Sequence, residues 1–290
     1  MDAAGPQPTF VRLGPPGPSR PVLLAVPHAG RDYPDALLAN ALVSRSRLEG
    51  LEDRHADALI AAAIAAGTVA LVACRPRSWL DLNRDEREID PATVTPPPPA
   101  HRLIQSAKLR GGLGLIPRRM PGASELWRAP LPASELDARI AGHHRPFHAA
   151  IADELASARA RHGAAMLIDL HSMPPVPNEA FGGAPQVVIG DRYGRSAPPF
   201  LVERVAAIVR EFGLTPAHNA PYAGGYTLDR HARPARGIHA VQIEIDRTLY
   251  LAPDRRTPSF GVSRISALVA AIVDGMVDAL AIGPPAIAAE

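Results

Sequence analysis

Met166-Leu167-Ile168-Asp169-Leu170-His171-Ser172-Met173-Pro174 runs an apolar strand into a histidine, and the pattern predicts a loop directly after it. In an open α/β sheet ligands collect beyond the carboxyl ends of the strands, so a histidine at that edge faces a crevice and not a core. Pro21-Val22-Leu23-Leu24-Ala25-Val26-Pro27-His28 has the same build. A third strand pattern, Ala240-Val241-Gln242-Ile243-Glu244-Ile245-Asp246, puts Ile243 and Ile245 on one face and Glu244 on the other. Two histidines and a glutamate on separate strands suggest a metal hydrolase, whose ion takes three protein ligands and leaves a fourth position for water. His28 and His171 fit the histidine positions. Glu52-Asp53-Arg54-His55-Ala56-Asp57 offers the carboxylate; Asp53 is favoured, with Glu52 and Asp57 as alternatives. Glu244 near a metal-bound water could take its proton and pass it to a leaving amine, a role for which Asp246 competes on the same face. Asp169, two residues before His171, shares its face and would orient that ligand from behind.

A second group concerns binding. Arg75-Pro76-Arg77-Ser78-Trp79-Leu80-Asp81-Leu82-Asn83-Arg84-Asp85 follows a predicted strand, and guanidinium forks grip carboxylates bidentately. Arg77, Asn83 and Arg84 are therefore candidates for holding an acidic substrate. His143-His144-Arg145-Pro146-Phe147-His148 contains a pair of histidines at one-turn spacing but lacks the glutamate of His-Glu-x-x-His, so His144 is read as lining the pocket and not as a metal ligand. In Asn219-Ala220-Pro221-Tyr222-Ala223-Gly224-Gly225-Tyr226-Thr227, the paired Gly224 and Gly225 would let backbone approach a ligand closely, beside Thr227. Gly190-Asp191-Arg192-Tyr193-Gly194-Arg195-Ser196 is one residue short of a phosphate loop and has no lysine. No Gly-x-Ser-x-Gly elbow is present, and Cys74 has no adjacent histidine to activate it. Every one of these residues also has a plain structural reading: a hydrogen-bonded histidine, a salt-bridged strand carboxylate, a solvated arginine face, an ordinary turn.

The elements that would position them read as α/β. Strands are predicted at Val22 to Val26, Thr68 to Cys74, Ala165 to Leu170, Gln186 to Ile189 and Gly237 to Ile245. Helices are predicted from about Asp53 to Ala66, Ala133 to Arg161 with a kink at Pro146, Pro199 to Phe212 and Val262 to Leu280. Strand, helix, strand succession implies a parallel sheet with crossover helices. Residues 1–20 are rich in Pro and Gly and are read as an arm, 21–283 as a single domain, and 284–290 as a tail. Pro96-Pro97-Pro98-Pro99 lies in a long loop from about Asp85 to His101, and loops of that length usually serve a function, so 91–100 is a candidate lid.

Composition narrows the class. Hydrophobic residues make up 47% and charged residues 21%, too apolar for disorder. With 31 Lys+Arg against 29 Asp+Glu the net charge is +2, which gives no basic surface for nucleic acid. One cysteine, Cys74, excludes an intrachain disulfide and fits a reducing compartment, with the cytoplasm as the default. No basic and apolar leader is visible at the N-terminus, and Asp274 and Asp278 interrupt the longest apolar stretch, so no membrane partner is expected.

In order along the chain, Val26-Pro27-His28-Ala29-Gly30, Asp81-Leu82-Asn83-Arg84, Ile168-Asp169-Leu170-His171-Ser172, Gly224-Gly225-Tyr226 and Gln242-Ile243-Glu244-Ile245 resemble the N-formylglutamate amidohydrolase family. The resemblance implies a three-layer α/β/α fold with a mixed, mostly parallel central sheet, like that of zinc carboxypeptidases and aspartoacylases. It implies one zinc ion per chain on His28, His171 and an acidic residue near Asp53, with Glu244 as catalytic base. Asn83-Arg84 is similar to the pair with which those relatives hold a substrate carboxylate. The implied substrate is a small N-acyl acidic amino acid, N-formyl-L-glutamate first. A carboxypeptidase, a deacylase of other N-acyl amino acids and a non-catalytic binder of acidic metabolites are the alternatives.

Overall fold

The computed structural model describes residues 8–123, 125–177 and 184–283, so residues 1–7 of the expected arm and the expected tail at 284–290 lie outside the described residues. Strands form at Phe10–Leu13 (β1), Val22–Val26 (β2), Val69–Ala73 (β3), Val94–Thr95 (β4), Leu131–Pro132 (β5), Ala165–Met173 (β6), Val187–Gly190 (β7), Pro216–His218 (β8) and Ile238–Asp246 (β9). One sheet has the order β1-β3-β2-β6-β9-β7-β8, and β4 pairs with β5 apart from it. The β2–β6, β6–β9 and β7–β8 pairings are parallel, whereas β7–β9 is antiparallel. The architecture is thus α/β, with a mixed, mostly parallel central sheet and flanking helices. Every residue of β2, β3, β6 and β7 is buried. Strands covered on both faces read as continuous Val, Leu, Ile and Ala runs and not as alternation, which is how these segments read in the sequence.

By internal contacts the residues fall into two compact units interleaved along the chain. The first takes residues up to Val11, Pro27–Arg54 and Val72–Ala150; the second takes Arg12–Val26, His55–Leu71 and Ile151 onward. Residues 21–283, expected as one domain, comprise both. The helix Ala133–Arg139 passes through a π-helical turn, Ile140–His144, into the helix Arg145–His162, whose residues up to Ala150 belong to the first unit. Pro146 has no N–H for the carbonyl of Gly142, and the wide turn just before it absorbs that missing bond without ending the helix. The expected long loop after Asp85 is also ordered: Asp90 Oδ1 accepts from the Ala92 amide at 3.0 Å, starting a 3₁₀ turn at Pro91–Thr93 that leads into β4.

Four expectations are corrected. His171 does not end its strand: β6 stays in register with β9 as far as Met173 against Asp246, so the histidine lies inside the ladder. No helix begins at Asp53. His55 adopts a left-handed φ of 61°, and helical structure starts only after it, as a 3₁₀ turn at Ala56–Ile60 followed by the helix Ala61–Ala65. Phe10–Leu13, within the presumed arm, is an edge strand of the sheet. β8 was not anticipated, being three residues long and beginning with a proline.

The helix Gly261–Ile282 is long and apolar enough to cross a membrane, with a mean hydropathy of 2.0 over its best window. In the second unit it packs on the helices Pro199–Glu211 and Ala61–Ala65, burying Ile265, Leu268, Val269, Ile272, Val273 and Met276. That is the pattern of a core helix. The centre of the sheet is equally dry, and Leu167 has 0% exposure. Leu167→Ala is expected to destabilise the protein by about 2–5 kcal/mol, seen as a lower urea midpoint at unchanged slope. An unshifted midpoint would show that β6 is not core.

Candidate functional site

In the first unit, His28 leaves the carboxyl end of β2 by way of Pro27, and the chain then has to turn under the end of β3. A side chain at Gly30 would put its Cβ 2.0 Å from the Arg75 carbonyl oxygen, so only glycine lets this turn close. The Asp53 amide donates to the His28 carbonyl at 2.9 Å, which brings Asp53 alongside. Both side chains are buried, at 2% exposure each. His28 Nε2 lies 2.7 Å from Asp81 Oδ1, and Nδ1 lies 3.3 Å from Asp53 Oδ2.

Asp81 has no exposed surface. Besides His28, its Oδ1 accepts from the Asn83 amide at 2.9 Å and its Oδ2 accepts from Arg77 Nε at 2.8 Å, with Arg84 Nε 3.7 Å away. Burial pushes the Asp81 carboxyl up, but Arg77, Arg84 and His28 together outweigh it and hold it well below the usual carboxylate range. An ionised Asp81 accepts only, so His28 Nε2 carries hydrogen. Nδ1 then meets the Asp53 carboxylate either as the second donor of an imidazolium or as a lone pair sharing a cation with it.

The alternatives to Asp53 are otherwise engaged. Glu52 Oε1 accepts from Tyr33 Oη at 2.6 Å and Oε2 from Arg54 Nη1 at 2.8 Å. Burial raises the Glu52 carboxyl, with Tyr33 and Arg54 lowering it only in part. Asp57 lies in the first turn of the 3₁₀ segment Ala56–Ile60 and is only half-buried.

The binding candidates of the first unit lie along the segment after β3. Asn83 and Arg84 are buried, and Arg84 Nε donates to the Leu113 carbonyl at 2.8 Å. Arg77 is tied to Asp81. His144, expected to line a pocket, has 0% exposure and places Nε2 2.8 Å from the Arg84 carbonyl, which makes it a support for the turn.

In the second unit, the parallel register of β6 and β9 sets His171 beside Glu244 and Asp169 beside Gln242. Alternate residues share a face, so these four side chains form a polar patch on one side of the sheet. His171 Nε2 lies 3.0 Å from Asp169 Oδ2, so the carboxylate sits beside the ring without hydrogen-bonding geometry. Glu244 Oε1 accepts from Gln242 Nε2 at 2.8 Å. Asp246, the competing base, is used elsewhere: its Oδ1 accepts from the Thr248 amide and hydroxyl, both at 2.8 Å, capping a 3₁₀ turn. Gly224 has a φ of +101°, and Gly225 caps the short helix Tyr226–His231, in which Thr227 is fully buried. This segment is held by the one that resembled a phosphate loop, since the Arg192 amide donates to the Ala223 carbonyl at 2.8 Å and Arg192 pairs with Asp229 at 2.6 Å.

Sequence reasoning missed Asp81 and Gln242 as working residues. Asp81 had a signal, an acid with arginines four residues before and three after it. Gln242 shows only as the polar neighbour of Glu244 in the same alternation.

His28 and Asp53 in the first unit and His171 in the second are all buried, and each can offer one ligand atom to a metal. The donor chemistry of the first pair fits an ion. A tetrahedral zinc with bonds of about 2.0–2.1 Å sets neighbouring donor atoms about 3.3 Å apart, and Nδ1 to Oδ2 is 3.3 Å here.

Comparison with known proteins makes the class that of amide hydrolases. The chain belongs to the N-formylglutamate amidohydrolase family, whose model matches residues 20–251. An N-formylglutamate deformylase of Pseudomonas aeruginosa is 29% identical over 244 residues, covering 82% of this chain and 84% of that one. One from Pseudomonas putida is 29% identical over 237 residues, covering 80% and 82%. The crystal structure of an N-formylglutamate amidohydrolase from Ralstonia eutropha superposes with a TM-score of 0.84 at 33% identity, over 93% of this chain and 97% of that one.

The π-helical turn carries a further titratable group. His143 packs edge-on against Trp79 with centroids 4.1 Å apart, and Trp79 also lies under the Arg139 guanidinium. Burial, then Arg75 and Arg139, lower the His143 pKa to about 4. Unfolded, the residue titrates near 6.5. Its contribution to stability is therefore complete above that value and is lost as pH falls from about 6.5 toward 4, because the unfolded chain binds the proton first. Melting temperatures measured between pH 7 and 4 should fall more steeply for the parent than for His143→Phe, and parallel curves would refute the assignment.

Proposed function

We propose that this chain hydrolyses the amide of N-formyl-L-glutamate, or a closely related N-acyl acidic amino acid, to formate and the free amino acid, using one zinc ion per chain held by His28, Asp53 and His171. The observation that carries the metal is the buried 3.3 Å pairing of His28 Nδ1 with Asp53 Oδ2, with Nε2 already given to Asp81. Membership of the family and the names of the two Pseudomonas relatives support the substrate. Bound zinc supplies a Lewis acid for the amide carbonyl and a water of lowered pKa.

The remaining work belongs to the protein's own groups. Glu244 takes the proton from the attacking water and hands it to the departing amine nitrogen, so no free base is needed at neutral pH. Gln242 holds Glu244 Oε1 and so fixes which oxygen faces the water. Asp81 keeps His28 in the tautomer that offers Nδ1, since its Nε2 is turned to that carboxylate, and Asp169 stands behind His171 at 3.0 Å. Asn83 and Arg84, with Arg77 behind them, hold the substrate's carboxylates, and Gly224 and Gly225, beside the buried Thr227, let backbone approach the substrate closely.

Glu244→Gln keeps the shape and removes the base. Bound zinc by elemental analysis should stay at the parental level while formate release falls roughly 10²–10⁴-fold; near-parental turnover would move the base elsewhere. His171→Ala should lose both metal and activity, and Asp81→Asn should weaken zinc affinity about 10–100-fold, measured by competition with a chelator. Full metal occupancy in His171→Ala would remove it from the ligand set. Comparing formate release from N-formyl-L-glutamate with acetate release from N-acetyl-aspartate decides the acyl group and amino acid.

A further inference from the structure

Three successive carbonyls of the turn Leu82-Asn83-Arg84 each take a side-chain donor. His148 Nε2 donates to the Leu82 carbonyl at 2.9 Å, Arg84 Nη1 to the Asn83 carbonyl, and His144 Nε2 to the Arg84 carbonyl at 2.8 Å. A carbonyl oxygen only accepts, so both histidines carry hydrogen on Nε2. Neither has exposed surface, and their rings lie 4.5 Å apart, one helical turn from each other. From the opposite side, the Asn83 amide donates to Asp81 Oδ1. Residues 82–84 belong to no helix or strand.

The same helical run reaches this segment at another point, because Arg139 Nη1 donates to the Trp79 carbonyl at 2.9 Å. Arg139 precedes the π-helical turn and His144 closes it. A histidine pair buried at this spacing reads from sequence as a chelate or as pocket lining. The Nε2 of each ring is instead given to a main-chain oxygen of the segment that carries the Asn-Arg pair.

We propose that His144 and His148 are positioning residues: through the carbonyls of Leu82 and Arg84 they set the direction in which Asn83 and Arg84 present their side chains to an anionic substrate. This rests on the reading of Asn83 and Arg84 as the grip on substrate carboxylate. A bidentate guanidinium contact depends on the plane of the fork, so a small rotation of the turn is felt in binding.

The experiment is steady-state formate release from N-formyl-L-glutamate by zinc-loaded His144→Leu, His148→Leu, the two matching Gln variants and Arg84→Ala. The Leu variants should raise KM at least about tenfold with kcat within about threefold of the parent and unchanged zinc content. Gln places an N–H near the position of His Nε2, and should return KM to within about threefold of the parent. A purely structural role predicts instead that loss follows melting temperature and falls on kcat or zinc content. Leu variants with parental KM, or Gln variants no better than Leu, would overturn the proposal.

If the Leu variants do not fold, His144→Asn, too short to reach the carbonyl, takes their place against His144→Gln, and equal KM values count against the proposal. Arg84→Ala separates the two levels. If it raises KM and the histidine variants do not, the positioning role alone is wrong. If it leaves KM unchanged, the grip reading fails and the positioning role with it.

Discussion

The charge on Asp81 is the constraint from which the rest of the first unit follows. A carboxylate with no exposed surface cannot be stabilised by water, so it must be neutralised by what surrounds it. Arg77 and Arg84 supply the opposite charge and His28 a hydrogen bond, and the carboxyl is held ionised despite its burial. Leaving such a buried charge without compensation typically costs about 3–5 kcal/mol. One anion thereby ties a candidate metal ligand to the arginines of the binding segment and fixes the hydrogen on His28 Nε2. Function and stability press on the same atoms, so the Asp-Leu-Asn-Arg run is legible as a unit.

The second unit solves its part by register. Parallel strands set about 4.8 Å apart put laterally paired residues on the same face, and His171 is paired with Glu244. A polar face of Asp169, His171, Gln242 and Glu244 is thus written into two strands that are otherwise Leu, Ile and Val. Glu244 takes a hydrogen bond from Gln242, while Asp169 has only the His171 ring beside it at 3.0 Å. A slip of either strand by one residue would turn that strand's two polar side chains into the opposite layer.

The strands were legible because buried parallel strands advertise themselves as short apolar runs bounded by Pro and Gly, and β2, β3, β7 and β9 fall within a residue or so of their expected bounds. The site was legible where a polar residue interrupts such a run, as at His171 and Glu244. What could not be read is what depends on partners distant in sequence. His171 looked like a strand terminus because Pro174 follows so soon; pairing with β9 carries the strand past it. His144 looked like a pocket residue because nothing in Arg-Pro-Phe-His shows that its ring meets a carbonyl 60 residues earlier in the chain. The left-handed His55 breaks an apparently sound helix pattern, since alanine spacing alone does not reveal where helical φ begins.

The order of the strands in the sheet also bears on how the chain comes into being. β2 lies between β3 and β6, and its pairing with β6 joins Val22 to Met166. During synthesis from the N-terminus, one edge of this wholly apolar strand therefore waits for more than half the chain to emerge before its hydrogen bonds can close. Such non-local pairings are slow to form and leave strand edges open to wrong partners meanwhile. His28, two residues beyond that strand, meets Asp53 and Asp81 early in synthesis, whereas the strand that carries it is paired on this side only once β6 has emerged.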